Sequence, residues 1–264
     1  MTDRTELRRT FDSAATRYHG ARPRYPHELF AVLATYLGNP AELDVLEVGP
    51  ATGIATIPLA ERGWRVTGIE LGADLADQAR ANTAHLAGVE IVTGSFDVWE
   101  PPAWGGFDLV VAATSWHWLD PTTRYQRAHR HLRPGGVLAY WSATHVLPDD
   151  GDPIFVELQD IYDEIGESRG DWLRPGELPV QVGDIDQTGL FGDVEAVQFD
   201  WEVTYDADGY FALLDTFSGH IAMRPAQRAR LYGEIRRRLS ERPDGRVRRH
   251  WGAALHLARR PQRA

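Results

Sequence analysis

The 264-residue chain contains no cysteine and no lysine. Without thiols it can form no disulfide, no thiolate metal site and no cysteine nucleophile. Without a lysine amine, Schiff-base and pyridoxal chemistry are excluded, and so is a P-loop, whose lysine must reach the phosphates. No apolar run attains the roughly 18 residues needed to span a bilayer. The start, MTDRTELRRTFDS, carries charge where a secretory leader needs an apolar stretch, so a cytoplasmic location is expected. Positive charge is also scarce: 28 arginines face 38 acidic residues, a formal net charge of −10. This balance argues against general affinity for nucleic acid, which needs a basic surface. Arginines do gather between Arg228 and Arg263, but RLYGEIRRRLSER reads as the solvated face of an amphipathic helix. The expected partner is a small molecule, neither nucleic acid nor membrane.

What is present is alternation. With 43% hydrophobic residues, the chain can bury a sizeable core and reads as one large domain over residues 1–264. Residues 5–19 and 27–37 read as helices joined by the extended link ARPRYP, because each proline biases its predecessor away from the helical region. Strands at about 43–48, 65–70, 89–93, 107–113 and 136–142 alternate with helices at about 53–62, 73–86 and 121–132. Such βα units imply a parallel sheet covered on both faces. After residue 146 the rhythm changes to a helix near 153–166, a loop rich in Gly and Pro, and the strand VEAVQFDWEVTYD. Helices at 207–217 and 225–240 follow, and RVRRHWGAALHLARR is a last strand able to join the sheet antiparallel.

The stretch VLEVGPATG joins the first strand to the first helix of this series. Glycines there turn the chain and let the backbone approach a ligand, with helix N-terminal amides ready for polar groups. The dinucleotide spacing G-x-G-x-x-G is missing, since Ile54 stands where a third glycine would fall, so a nicotinamide or flavin site is disfavoured. Glu70 ends the second strand, where a carboxylate can accept from both hydroxyls of a ribose. Glu47, just before the turn, would repel a pyrophosphate but suits a ligand carrying an ammonium and a sulfonium, namely S-adenosylmethionine.

EVGPATG, GIEL, TGSFDVWE and FDLVVAATSWHWLDP, in that order and spacing, resemble the class I S-adenosylmethionine-dependent methyltransferases. FDSAATRYHGARPRYP and the HW pair after the fourth strand are similar to the small-molecule branch that includes the trans-aconitate methyltransferases. The resemblance implies a Rossmann-like seven-stranded, mostly parallel α/β sheet of order 3-2-1-4-5-7-6, with an antiparallel last strand. It implies a cofactor core at about 41–145 and 188–264, with a helical substrate cover from 1–38, 146–187 and 205–240. It further implies that Glu47, Gly49, Ala51 and Gly53 line the methionine and ribose end, that Glu70 with Leu71 beside it takes the ribose hydroxyls, and that Ser95, Phe96 and Asp97 border the adenine. Ala113 and Thr114 would flank the methionine moiety. The family usually has glycine at the position of Ala51, whose methyl group is expected to crowd the cofactor slightly. On the N-terminal segment, Arg22 would pair with the methionine carboxylate and Tyr18 would close the pocket over the methyl group, with packing and solvation as their plain alternatives; Tyr25 reads as a packing residue.

The implied reaction is methyl transfer to a small-molecule acceptor, at a hydroxyl or carboxyl oxygen. Such a displacement needs alignment and, for a hydroxyl, removal of a proton, for which histidine suits neutral pH. His117, after the fourth strand, is the first candidate, His220 the second, and Tyr18 a further catalytic candidate; His145 holds the equivalent place after the fifth strand. A structural role is the plain alternative for each histidine. The DDGD run at 149–152 reads as a loop with Asp152 capping a helix at Pro153, so no metal is expected. The aromatic residues Trp116, Trp118, Trp141, Trp172, Tyr162, Tyr210 and Phe217 are expected in the core and cover, with a subset walling the acceptor pocket. Two readings stay open beside methyl transfer: a cofactor binder that catalyses a cyclisation or rearrangement, and a regulatory binder. RNA methylation is disfavoured by the charge and by the lack of an N/D-P-P-Y motif after strand four.

Overall fold

The computed structural model describes residues 19–101, 106–167 and 172–262. Most of the expected helix at 5–19, including Tyr18, lies outside the described residues. The βα rhythm appears as β1 (Asp44–Val48), α2 (Thr56–Ala60), β2 (Arg65–Glu70), α3 (Ala73–Thr83), β3 (Val89–Thr93), β4 (Phe107–Ala113), α4 (Arg124–His131) and β5 (Leu132–Trp141), preceded by α1 (His27–Tyr36). β1, β2, β3, β4 and β5 pair in parallel. Side chains of the central β1, β4 and β5 alternate between two buried faces, which explains their near-continuous apolar runs, whereas β3 at the edge keeps Glu90 and Thr93 exposed. Val45, Leu109 and Val111 pack beneath α1 with Leu29 and Leu33. Leu46, Val110 and Leu138 point the other way, toward Ala128 and Tyr125 of α4. Each such aliphatic side chain contributes about 1.5–3 kcal/mol by burial.

β6 (Ala143–Val146) continues β5 after the single residue Ser142, and both pair antiparallel with β8 (Val247–Arg259). β7 (Gly192–Tyr205) flanks the other side of β8, also antiparallel. Taking β5 and β6 as one bent strand, the order is 3-2-1-4-5-7-6 with β8 the antiparallel member, as expected. The run 153–166 is divided into α5 (Ile154–Glu157) and α6 (Gln159–Glu164) at Leu158. α7 (Val182–Asp186) precedes β7. α8 (Ala207–Leu214), capped by the Asp206 carboxylate on the Gly209 amide, leads to the short α9 (Ser218–Ala222) and to α10 (Pro225–Ser240). α5, α6, α8 and α10 share a separate apolar cluster built on Leu158, Ile161, Leu213, Leu231, Ile235 and Trp251. This is a helical layer beside the sheet, with its own core.

Candidate functional site

The C-terminal ends of the parallel strands converge at the turn after β1. Gly49 has φ +68°, and a Cβ built there would stand 2.8 Å from the Ser115 Cβ. Ser115 is held down by donating its hydroxyl to the Val48 carbonyl. Only glycine fits this crossing of two loops. Ala51 is also left-handed, at φ +51°, and its N–H donates to Glu70 Oε2 at 2.8 Å. The Gly72 amide, at the start of α3, donates to Glu70 Oε1 at 2.9 Å. Two fixed amides thus orient a carboxylate that is 6% exposed.

Glu47 lies deeper. Thr56 donates to its Oε2 at 2.6 Å, while Oε1 has no hydrogen-bond partner among the described residues. Burial pushes the carboxyl up to about 7, against the Thr56 hydrogen bond and with help from the charge of Glu70. A cation near Oε1 would supply what this carboxylate lacks.

Gly49, Ala51, Glu70 and Ser115 border a cavity of about 490 Å³, a size common for cofactor and small-molecule sites. Its lining draws Gly49, Ala51, Glu70, Leu71, Ser95, Phe96, Asp97, Ala113 and Thr114 from the strand ends, together with Arg22, His117, Thr144 and the 217–219 segment. The described candidates drawn from sequence therefore meet in one place, with three exceptions. Glu47 and Gly53 sit behind the lining. His220, 2% exposed, lines a much smaller cavity with His145, Tyr162, Trp172 and Arg249; Phe217 borders both cavities.

His117 is exposed on the 3-10 turn Trp116–Trp118. Its neighbour Trp116 is buried and stacked on Tyr140 at 4.9 Å, so the aromatic anchor turns the histidine outward rather than burying it. Arg22 donates to the Thr216 carbonyl at 2.7 Å and lies 4.5 Å over the Phe217 ring, which ties the N-terminal link to the segment between α8 and α9. Tyr25 packs edge-on against Trp141 and hydrogen-bonds Thr114 at 2.8 Å, outside the cavity lining. Asp149 pairs with Arg174, and Asp152 with Arg242 and two backbone amides.

Sequence reasoning missed three supports. Ser115 wedges against Gly49; Arg127 of α4 holds the loop after β3 through the carbonyls of Phe96 (2.8 Å) and Trp99 (2.7 Å); Thr56 binds Glu47. A small residue after β4 and a hydroxyl nine residues after Glu47 were the available signals; Arg127 had none.

Residues 45–136 match the family model for a methyltransferase domain. Over 190 residues the chain is 29% identical to an uncharacterized methyltransferase of Mycobacterium tuberculosis, covering 65% of this chain and 73% of that one. It is 37% identical over 99 residues to a trans-aconitate 2-methyltransferase of an Azoarcus strain, covering 36% of this chain and 37% of the relative. Among solved structures, a candidate type II methyltransferase from Anaeromyxobacter dehalogenans superposes with a TM-score of 0.65 at 25% identity, over 92% of this chain and 99% of that chain.

Proposed function

We propose that this chain, a class I S-adenosylmethionine-dependent methyltransferase, transfers a methyl group to a hydroxyl or carboxyl oxygen of a small metabolite. The observation that carries the reading is the cavity itself, whose lining brings together a doubly oriented Glu70 and an exposed His117. The residues fit the cofactor. The Glu70 carboxylate, oriented by two amides on the cavity wall, suits the hydroxyls of a ribose. The partnerless Oε1 of Glu47 suits an ammonium, the Arg22 guanidinium suits a carboxylate, and Phe96 with Asp97 offers an apolar face and an acceptor for an adenine. When bound, the cofactor supplies an electrophilic methyl group on a sulfonium.

The protein's part is alignment and, where the acceptor is a hydroxyl, proton removal. The acceptor would enter between His117, Thr144 and the 217–219 segment, with the helical layer as its cover. His117 would take the proton of a hydroxyl acceptor, and a carboxylate acceptor would need no base. His220 stands as the second candidate base, in the smaller cavity that shares Phe217 with the larger one. Tyr18 would close the cavity from the N-terminal side. Core and cover together would form one catalytic unit of residues 1–264.

A small acceptor is favoured over nucleic acid by the net charge and by the carboxylate pairing of the α10 arginines, such as Arg237 and Arg238 with Glu234. No helix among the described residues is long and apolar enough to cross a membrane, which accords with a cytoplasmic enzyme. The test is calorimetric binding of S-adenosylhomocysteine, followed by incubation with methyl-labelled cofactor and a fractionated metabolite extract. A labelled ester or ether supports the proposal. A labelled amine, or binding with no label transferred to any fraction, would overturn the acceptor assignment.

A further inference from the structure

The turn that carries Ala51 is strained in a way that calls for restraint. Gly49, Ala51 and Gly53 all have positive φ, at +68°, +51° and +89°, and Ala51 is the one among them with a β-carbon to disfavour that region. Its N–H donates to Glu70 Oε2 at 2.8 Å. The next residue, Thr52, is fully buried, and its carbonyl is gripped from two sides. Asn82 Nδ2 donates to it at 2.8 Å, and His19 Nδ1 lies 3.1 Å from both that carbonyl and the Thr52 hydroxyl.

Both partners are themselves set. The Asn82 carbonyl oxygen accepts from Gln78 Nε2 at 2.9 Å, which turns the amide nitrogen toward Thr52. Arg24 lies 2.7 Å from His19 Nε2 and Asn82 Nδ2 lies 2.8 Å from His19 Nδ1, so the imidazole is wedged between these two donors and the Thr52 carbonyl and hydroxyl. Asn82 lies in the last turn of α3, the helix whose approach begins with the Gly72 amide on Glu70. The hydrogen bonds therefore close a ring: Glu70, Ala51, Thr52, Asn82, and back along α3 to Glu70.

We propose that Asn82 and His19 are positioning residues that hold the Thr52 carbonyl so that Ala51 keeps its left-handed conformation and its N–H stays on Glu70. Through His19 they also couple the N-terminal segment to the cofactor turn. The inference rests on the cavity being the cofactor site. It explains how the turn tolerates alanine where glycine would relax unaided.

The experiment is a double-mutant comparison read by S-adenosylhomocysteine affinity. Asn82→Ala and His19→Ala should each weaken binding about tenfold in the native background. In the Ala51→Gly background the same substitutions should cost about threefold or less, since glycine needs no restraint. If one alanine variant fails to fold, the other carries the same comparison. Equal losses in both backgrounds, or no loss in either, would overturn the proposal. Amide exchange of Ala51 in the ligand-free protein gives an independent readout and should quicken in both alanine variants. Quickened exchange in a protein that binds no S-adenosylhomocysteine would strike the cofactor reading and uphold the clamp. Unchanged exchange beside normal binding would do the reverse.

Discussion

Asp152 and Arg242, ninety residues apart, form a two-pronged ion pair with N···O distances of 2.8 and 3.0 Å. The same carboxylate, 4% exposed, accepts the amides of Ile154 at 3.1 Å and Arg248 at 2.9 Å. One aspartate of the DDGD run thus pins the start of α5, the end of α10 and the start of β8 together. Removing it strands the partly buried Arg242, so Asp152→Ala should destabilise the fold by about 3 kcal/mol. Burial works to raise the Asp152 pKa, but the hydrogen bonds from Arg242, Arg248 and Ile154 outweigh it and hold the carboxyl below the usual range. A depressed acid stabilises above its ordinary pKa, and that contribution is lost as pH falls. The urea midpoints of native protein and variant should therefore differ at pH 7 and converge below about pH 4. Coincident midpoints at pH 7 would show that the pair adds nothing.

Gly49→Ala should lower the melting temperature and weaken cofactor binding. The added methyl group meets Ser115 at 2.8 Å and enters a left-handed backbone, a cost of about 2 kcal/mol. Ser115→Gly in the same chain removes the obstructing Cβ. Partial recovery of the melting temperature in the double variant is the expected result, and a double variant no better than Gly49→Ala alone would locate the damage elsewhere.

Glu70→Ala should weaken S-adenosylhomocysteine binding by about 1.5–3 kcal/mol, the scale of lost charge-assisted hydrogen bonds. It also leaves the Ala51 and Gly72 amides without their acceptor, so the variant's fold is checked first by circular dichroism. Native affinity in a folded variant would remove Glu70 from the ribose site.

Glu47 links binding to protons. Its carboxyl is raised by burial to about 7, so its contribution to stability is present below the ordinary value of 4.5 and declines as pH rises through 7. A ligand ammonium favours the ionised form. Binding at pH 6 should therefore release close to one proton, seen as a binding enthalpy that varies with the ionisation enthalpy of the buffer. Glu47→Gln should abolish that variation. A buffer-independent enthalpy in the native protein would separate Glu47 from the ligand.

The sheet was legible because β1, β4 and β5 carry apolar runs, β2 and β3 are short β-branched stretches followed closely by glycine, and the helices between them keep one buried face. What escaped was short or set by distant contacts. α7 and α9 have five residues each, and pairing with β8 draws β6 on past the polar Ser142 and Thr144. In the site, the cavity-lining residues next to the glycine turn and the strand ends were readable because chain order alone places them at one sheet edge. Arg127 was not, since a guanidinium that serves loop carbonyls 28 and 31 residues away leaves no local pattern. The burial of His220 was not readable for the same reason. Nothing near residue 220 in the chain distinguishes a buried imidazole from one facing the cavity.

That distinction decides the last prediction. His117 is exposed on the cavity wall, whereas His220 is buried in the smaller cavity beyond Phe217, in ring contact with Phe217 at 6.1 Å and Tyr232 at 6.0 Å. If a hydroxyl is methylated with His117 as base, His117→Ala should lose about a hundredfold in kcat, and the alkaline-rising limb of the native pH–rate profile should disappear. His220→Ala, which opens space in the cover, should instead lower the melting temperature and raise KM while leaving the limb in place. Loss of the limb in His220→Ala alone would exchange the two roles. Near-native, pH-flat turnover in both variants would take histidine out of the chemistry and point to an acceptor already ionised at neutral pH, a carboxylate, for which the protein supplies alignment alone.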